Sequence, residues 1–268
     1  MLLTFICQPF FQFFLKGNFE FMVDQERFQA ACDTVLGKQR IRCGIGTLSE
    51  KTLHAILKCY YEPYQENHEI KIGKYVADIV GENGIVEIQT AQFGSMREKL
   101  NSFLEVCPVT VVHPVPVKRK LIWIDRESGT LSQPRTAPCK DLRADIFSEL
   151  SHIPDLLLHP KLSFCFPLLE MEEYRYLNKK EKNPKRHASR CDRIPSALTG
   201  EILLCSKSDF YAYIPAFLPE HFTSSDFAKA AKCAISTARV MLYVLYHMGI
   251  AERIGKQGNC FLYQIRPI

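Results

Sequence analysis

Two acidic residues lie inside short apolar segments, where an unpaired charge is costly. Asp78 interrupts residues 75–80, and Glu87 interrupts residues 85–89. Carboxylates on adjacent apolar strands repel each other, and a bound divalent cation keeps both of them ionised. Because Mg²⁺ binds through one or two carboxylates together with phosphate and water, this pair predicts a Mg²⁺ or Mn²⁺ site. The alternative interpretation is that one or both acids point out of the sheet and are solvated.

A helix is predicted immediately before these segments, over residues 48–61, with Ser49 as its N-cap. Its apolar face consists of Leu53, Ile56, Leu57, Tyr60 and Tyr61. Glu50, His54 and Lys58 follow one another at intervals of four residues and share another face. His54 could assist at a bound phosphate, or it could be a polar residue with an ordinary hydrogen-bond partner.

Strand-like segments follow at 68–72, 75–80 and 85–89, and Asn83-Gly84 predicts a tight turn that makes the last two an antiparallel hairpin. The next predicted element is an amphipathic helix, with an apolar face formed by Phe93, Met96, Leu100, Phe103 and Leu104. The β-branched residues 109–112 predict a strand covered on both faces. Helices on a small mixed sheet define an α/β fold.

This order of elements, with Asp78 followed by Glu87-Ile88-Gln89, resembles the core of the PD-(D/E)XK restriction-endonuclease-like superfamily over residues 48–112. The resemblance implies metal-dependent hydrolysis of phosphodiester bonds. Asp78 and Glu87 match the metal-binding acids, and Glu50 matches the acid that many members carry on the first helix. Gln89 stands where the family has its lysine, and Ala77 stands where it has proline. The catalytic residues implied are Glu50, Asp78, Glu87 and Gln89.

The replacement of the motif lysine by Gln89 leaves two interpretations. An amide can orient an attacking water but cannot supply positive charge, so an active enzyme needs another cation, for which Lys71, Arg97 and Lys99 are candidates. These three residues could equally be ordinary surface residues. The rival hypothesis is a non-catalytic DNA-binding or regulatory protein that retains an inactive nuclease fold.

The C-terminal part has a different pattern, with helices predicted from residue 223 and over 235–247, followed by strands at 250–254 and 260–265. This arrangement is similar to a winged helix-turn-helix domain. The resemblance implies nucleic-acid contacts from Ser236, Thr237 and Arg239 on the second helix and from Lys256 in the wing. A winged helix that contacts only protein partners is the alternative.

Positive charge is concentrated in one stretch. The formal net charge is +5, and residues 178–193, called the basic segment below, contain seven Lys or Arg and two acids. The segment is predicted to be an exposed linker that attracts phosphate. The residues assigned to nucleic-acid binding in it are Lys179, Lys180, Lys185 and Arg186.

The predicted organisation has four parts. Residues 1–21 are an apolar extension or, as we favour, lie upstream of the natural start. Residues 22–177 form the restriction-endonuclease-like domain, residues 178–193 form the linker, and residues 194–268 form the winged-helix domain.

Eleven cysteines without a C-x-x-C pair favour a reducing compartment, and therefore the cytoplasm. DNA is the predicted partner and a membrane is not, while the oligomeric state stays open and includes a dimer. No Gly-rich phosphate loop, G-x-S-x-G or H-E-x-x-H motif occurs, which disfavours nucleotide hydrolysis, serine hydrolysis and zinc proteolysis.

Overall fold

The computed structural model describes residues 23–42, 52–177 and 189–267. This part of the chain forms a mixed eight-stranded sheet with helices packed against it, and a smaller three-stranded sheet near the C-terminus. The α/β class with helices on a mixed sheet is confirmed.

The first half of the large sheet contains the predicted hairpin. Its strands are β1 His68–Ile72, β2 Tyr75–Gly81, β3 Gly84–Ile88 and β4 Val109–Val112. β1, β2 and β3 are antiparallel neighbours, and β4 runs parallel to β3. Gly84 is required at the turn, because its φ of +112° favours glycine and a Cβ there would overlap the carbonyl oxygen of Pro108.

The second half of the sheet is built around one long strand. The remaining strands are β5 Val115–Asp125, β6 Arg135–Ala137, β7 Leu162–Leu177 and β8 Ser189–Leu204. β7 pairs in parallel with β4 and then with β5 along one edge, and it pairs antiparallel with β8 along the other. β6 extends the sheet beyond β5.

Two groups of helices cover the large sheet. They are α1 Gln25–Arg42, α2 Thr52–Tyr61, α3 Arg97–Val106 and α4 Leu142–Leu150. One core cluster joins α1 and α2 to Ile79, Ile88 and Val112. A second cluster joins α3 and α4 to Ile85 and Val111. All five residues of the apolar face predicted for this helix are buried, but Phe93 and Met96 lie in a 3-10 turn that precedes α3.

The C-terminal unit follows the predicted order of helices and hairpin. It comprises β9 Phe222–Thr223, α5 Ser224–Ala231, α6 Ile235–His247, β10 Ala251–Gln257 and β11 Cys260–Ile265. The small sheet has the order β10-β11-β9. α6 packs against α4, and its buried residues belong to the same core cluster as α3. This unit is therefore packed on the body of the protein.

One sequence-based boundary needs correction. Residues 189–193, predicted as part of a linker, begin β8, and β8 pairs with β7 over most of its length. The basic segment therefore connects two strands of one sheet, and the domain boundary predicted after residue 193 is wrong. Residues 1–21 lie outside the described residues.

Within the described ranges, no helix is long and apolar enough to cross a membrane. The nine described cysteines are all free thiols.

Candidate functional site

Asp78 and Glu87 lie opposite each other where β2 and β3 separate. The regular pairing of the two strands ends at Ile79 and Val86, and Asp78 and Glu87 are the next residues in the same register. Beyond that point the backbone amide of Asp78 donates to Glu87 Oε1 over 3.0 Å, and the amide of Ile88 donates to Asp78 Oδ2 over 2.8 Å. Each carboxylate thus accepts a hydrogen bond from the neighbouring strand, and the two acids share one site.

Lys99 provides the positive charge in this site. It lies in the first turn of α3, and its Nζ donates to Glu87 Oε2 over 2.6 Å. Glu87 is only 3% exposed. Burial and the negative charge of Asp78 raise the pKa of Glu87, even though the bond from Lys99 acts in the opposite direction. Lys99 therefore favours the ionised form of Glu87, against burial and the charge of Asp78.

His54 of α2 contacts the carboxylate of Asp78. Its Nε2 lies 3.1 Å from Asp78 Oδ2. Burial favours the protonated acid, but the bond to His54 and the amide of Ile88 outweigh it, and the pKa of Asp78 is lowered. Asp78 is thus the member of the acid pair that is ionised most readily.

A second ion pair continues along α2. Lys58 Nζ donates to Glu69 Oε1 on β1 over 2.6 Å, and this bond lowers the pKa of Glu69. Glu69 has a φ of +55°, an unusual conformation for a residue other than glycine. His54 and Lys58, predicted to share a face of α2, both contact strand acids. We call Asp78, Glu87, Lys99 and His54 the acid–lysine cluster.

Gln89 does not join the acid–lysine cluster. Its side-chain amide donates to the carbonyl oxygens of Ala91 and Gln92 in the loop that follows β3. The backbone carbonyl oxygen of Gln89 lies 2.7 Å from Nδ1 of the buried His113. The side chain of Gln89 therefore bonds to the loop in this structure, and its catalytic role stays a prediction.

Of the three alternative cations, the structure brings only Lys99 to the acids. Arg97 contacts Asp155 and the carbonyl oxygen of His152, and Lys71 is exposed on β1. Sequence spacing could not choose between Arg97 and Lys99, because they flank the apolar stripe of α3 on opposite sides. The choice depends on how the helix is rotated against the sheet.

The other predicted site residues fall into two groups. In the C-terminal unit, Ser236, Arg239 and Lys256 are exposed, whereas Thr237 is buried and cannot contact a nucleic acid in this conformation. The remaining predicted residues lie outside the described ranges, and these are Glu50, Lys179, Lys180, Lys185 and Arg186.

The acid–lysine cluster offers carboxylate oxygens, the type of ligand that a hard divalent cation such as Mg²⁺ prefers. Within the described ranges, no hydrogen bond reaches Asp78 Oδ1, while Asp78 Oδ2 and both oxygens of Glu87 accept bonds. No group of three or more His, Cys, Asp or Glu that could hold a metal ion occurs in the described part.

Residues 51–205 match the model of a protein family described as a domain of unknown function, DUF8091, and the chain belongs to this family. The match contains every member of the acid–lysine cluster and ends one residue after β8. The family domain thus includes β8, in agreement with its pairing in the large sheet.

The chain is also similar to an uncharacterized protein of Treponema pallidum (strain Nichols). The two sequences are 28% identical over 224 residues, which cover 83% of this chain and 88% of the relative. No solved structure matches the chain.

Proposed function

We propose that the protein is a Mg²⁺-dependent nuclease that hydrolyses DNA phosphodiester bonds. The observation that carries this proposal is the contact of Lys99 with Glu87, the buried member of the acid pair. The nuclease motif places a lysine beside two strand carboxylates, and this sequence has Gln89 at the lysine position. Lys99 of α3 supplies a lysine near the same acids from a different element. The order α2, β1 to β3, α3 and β4, with β3 parallel to β4, further supports a restriction-endonuclease-like core.

Each member of the cluster has a role in this proposal. Asp78 and Glu87 would hold Mg²⁺ or Mn²⁺, and a bound metal neutralises phosphate charge and lowers the pKa of an attacking water. Lys99 favours the ionised form of Glu87, and its ammonium group would lie beside a bound phosphate. His54 fixes the orientation of Asp78. Glu50 remains a predicted third acid on the same helix as His54.

The C-terminal unit has the element order of a winged helix, and we propose that it binds the DNA together with the basic segment. Arg239 and Lys256 are exposed and form no ion pair within the described ranges, so their charges are available to phosphate. The free thiols agree with a reducing compartment, for which the cytoplasm remains our prediction.

The decisive experiment measures cleavage of mixed single-stranded and duplex DNA with Mg²⁺ or Mn²⁺. Asp78→Ala, Glu87→Gln and Lys99→Met should each lower the rate by a factor of about 100 or more, because each removes a charge at the reacting phosphate. Lys118→Met is the matched control, since Lys118 forms a comparable but exposed ion pair with Glu170. Cleavage that survives Asp78→Ala would exclude this site as the active centre.

A second candidate function is a regulatory DNA-binding protein without catalysis. The ion pair between Lys99 and Glu87 also favours this candidate, because it gives Glu87 a charge partner without a metal. In that case DNA binding would persist, and the wild-type protein would show no cleavage with any divalent metal.

A further inference from the structure

Exposed aromatic side chains form one surface on the C-terminal unit. Tyr243 and Tyr246 project from the last turns of α6, and Phe261 projects from β11. They are 37%, 37% and 41% exposed. Large rings that are partly open to solvent indicate a binding surface when they are grouped rather than scattered. With Arg253 on β10 they form what we call the aromatic surface.

Arg253 connects the helix to the hairpin. Its guanidinium lies 4.3 Å from the ring centre of Tyr246 and 4.2 Å from that of Phe261. Cations at these distances are attracted to the ring faces. Lys256 approaches the Phe261 ring as well, at 5.5 Å. The contacts fix the rings relative to one another before any ligand binds.

The charge of the aromatic surface is positive and uncompensated. Within the described ranges, Arg253, Lys256 and Arg239 form no ion pair with an acid. The acids of this unit are engaged elsewhere: Glu252 pairs with Arg266 over 2.9 Å, and Asp226 caps α5. A polyanion is therefore the ligand that the surface complements.

We infer that the aromatic surface binds single-stranded nucleic acid, with bases stacking on Tyr246 and Phe261 and phosphates near Arg239, Arg253 and Lys256. Exposed rings gain little from a duplex, whose bases are already stacked, whereas single strands offer open base faces. A protein ligand would use the rings but would have to match three unpaired cations. This inference rests on the proposed function and specifies its substrate as DNA with a single-stranded part.

The test measures the affinity of the full chain for a labelled oligothymidylate by fluorescence anisotropy, in EDTA so that cleavage cannot occur. Phe261→Ala should weaken binding roughly tenfold through the loss of one stacking contact. Arg253→Gln should weaken binding and reduce the slope of log affinity against log salt by about 0.7, the value for one phosphate contact on a single strand. Phe217→Ala is the matched control, because Phe217 is 92% exposed and lies outside the surface.

A second variant reports stacking directly. Trp123 is the sole tryptophan of the chain, so Phe261→Trp in a Trp123→Phe background places the only indole on the aromatic surface. Oligothymidylate should quench its emission, and duplex DNA of equal charge should quench it less.

Unchanged affinity of Phe261→Ala and Arg253→Gln, or no quenching of the indole, would overturn the inference. So would a loss of affinity confined to duplex DNA. Because these measurements contain no metal, they can fail while cleavage at the acid–lysine cluster persists, and cleavage can fail while they succeed.

Discussion

The buried charge of Glu87 should make Lys99 a stabilising residue, which Lys99→Met tests. Methionine keeps an unbranched apolar side chain but removes the ammonium group, which also lies 5.5 Å from the ring centre of Phe103. Breaking a buried ion pair from one side costs about 3 to 5 kcal/mol, and a hydrogen bond to a charged group contributes about 1.5 to 3 kcal/mol. The Glu87 side chain is 4% exposed but that of Lys99 is 24% exposed, so we expect a loss of about 2 kcal/mol.

The assay is urea unfolding followed by circular dichroism, at neutral pH and again below pH 4.5. Since the pKa of Glu87 is raised in the folded protein, folding favours its protonated form, and stability is lost as pH rises through that pKa. Removing Lys99 raises the pKa further. The penalty of Lys99→Met should therefore be largest at neutral pH and should shrink in acid, where Glu87 is protonated in both proteins.

Two further variants separate this effect from general damage. Lys118→Met breaks an ion pair in which Lys118 is 51% exposed, and it should cost less than about 1 kcal/mol. Adding Glu87→Gln to Lys99→Met should recover most of the lost stability, because no buried charge then remains unpaired. A penalty equal to that of Lys118→Met, or one that is independent of pH, would refute the argument that Lys99 compensates Glu87.

Three other changes have defined outcomes. Gly84→Ala should destabilise the protein by more than about 1 kcal/mol in urea unfolding, because its positive φ and the approach of Pro108 both exclude a Cβ. His54→Ala should raise the lowered pKa of Asp78. The ionised Asp78 stabilises the protein above its unfolded-state pKa, and this contribution is lost as pH falls through its folded-state pKa. In acid titrations followed by circular dichroism, the variant should therefore lose this stability at a higher pH than the wild type. Neutralising the four assigned cations of the basic segment should reduce the slope of log affinity for duplex DNA against log salt concentration by up to about 3.6, at about 0.9 for each phosphate contact. An unchanged slope would mean that the segment only connects two strands and does not bind DNA.

Local sequence patterns were sufficient where neighbouring residues decide the structure. The limits of β1 to β4 were predicted to within one residue, because apolar runs alternate with turn residues such as Gly84. The Thr223–Asp226 start of α5 was predicted as well, and the structure has a capping box there.

Patterns failed where pairing between distant segments decides the structure. β8 contains Pro195, Gly200 and several charged residues, so its sequence reads as a loop. Its long partner β7 nevertheless makes it a strand, with irregularities in the register. Asp192 is buried there because Thr52 of α2 donates to it. Such a compensating contact is invisible in a local window.

The same limit explains the site. The sequence identified Asp78 and Glu87, since acids in apolar strands are conspicuous, but it could not assign the cation, which depends on the rotation of α3. Once Lys99 occupies that place, Gln89 is free to bind the loop carbonyls instead. In the nuclease function that we propose, Lys99 would supply the positive charge that Gln89 lacks.

This compensation also bears on the choice between enzyme and regulator. Two facing acids, one of which has a raised pKa, reduce the stability of the fold at neutral pH. A protein that used only the fold could replace Glu87 by glutamine and keep the hydrogen bond from the amide of Asp78 without the repulsion. The charged pair, with Lys99 and His54 holding it from two helices, is instead the arrangement expected of a site that binds metal and phosphate. We therefore expect metal-dependent cleavage that is lost when either Asp78 or Glu87 is substituted.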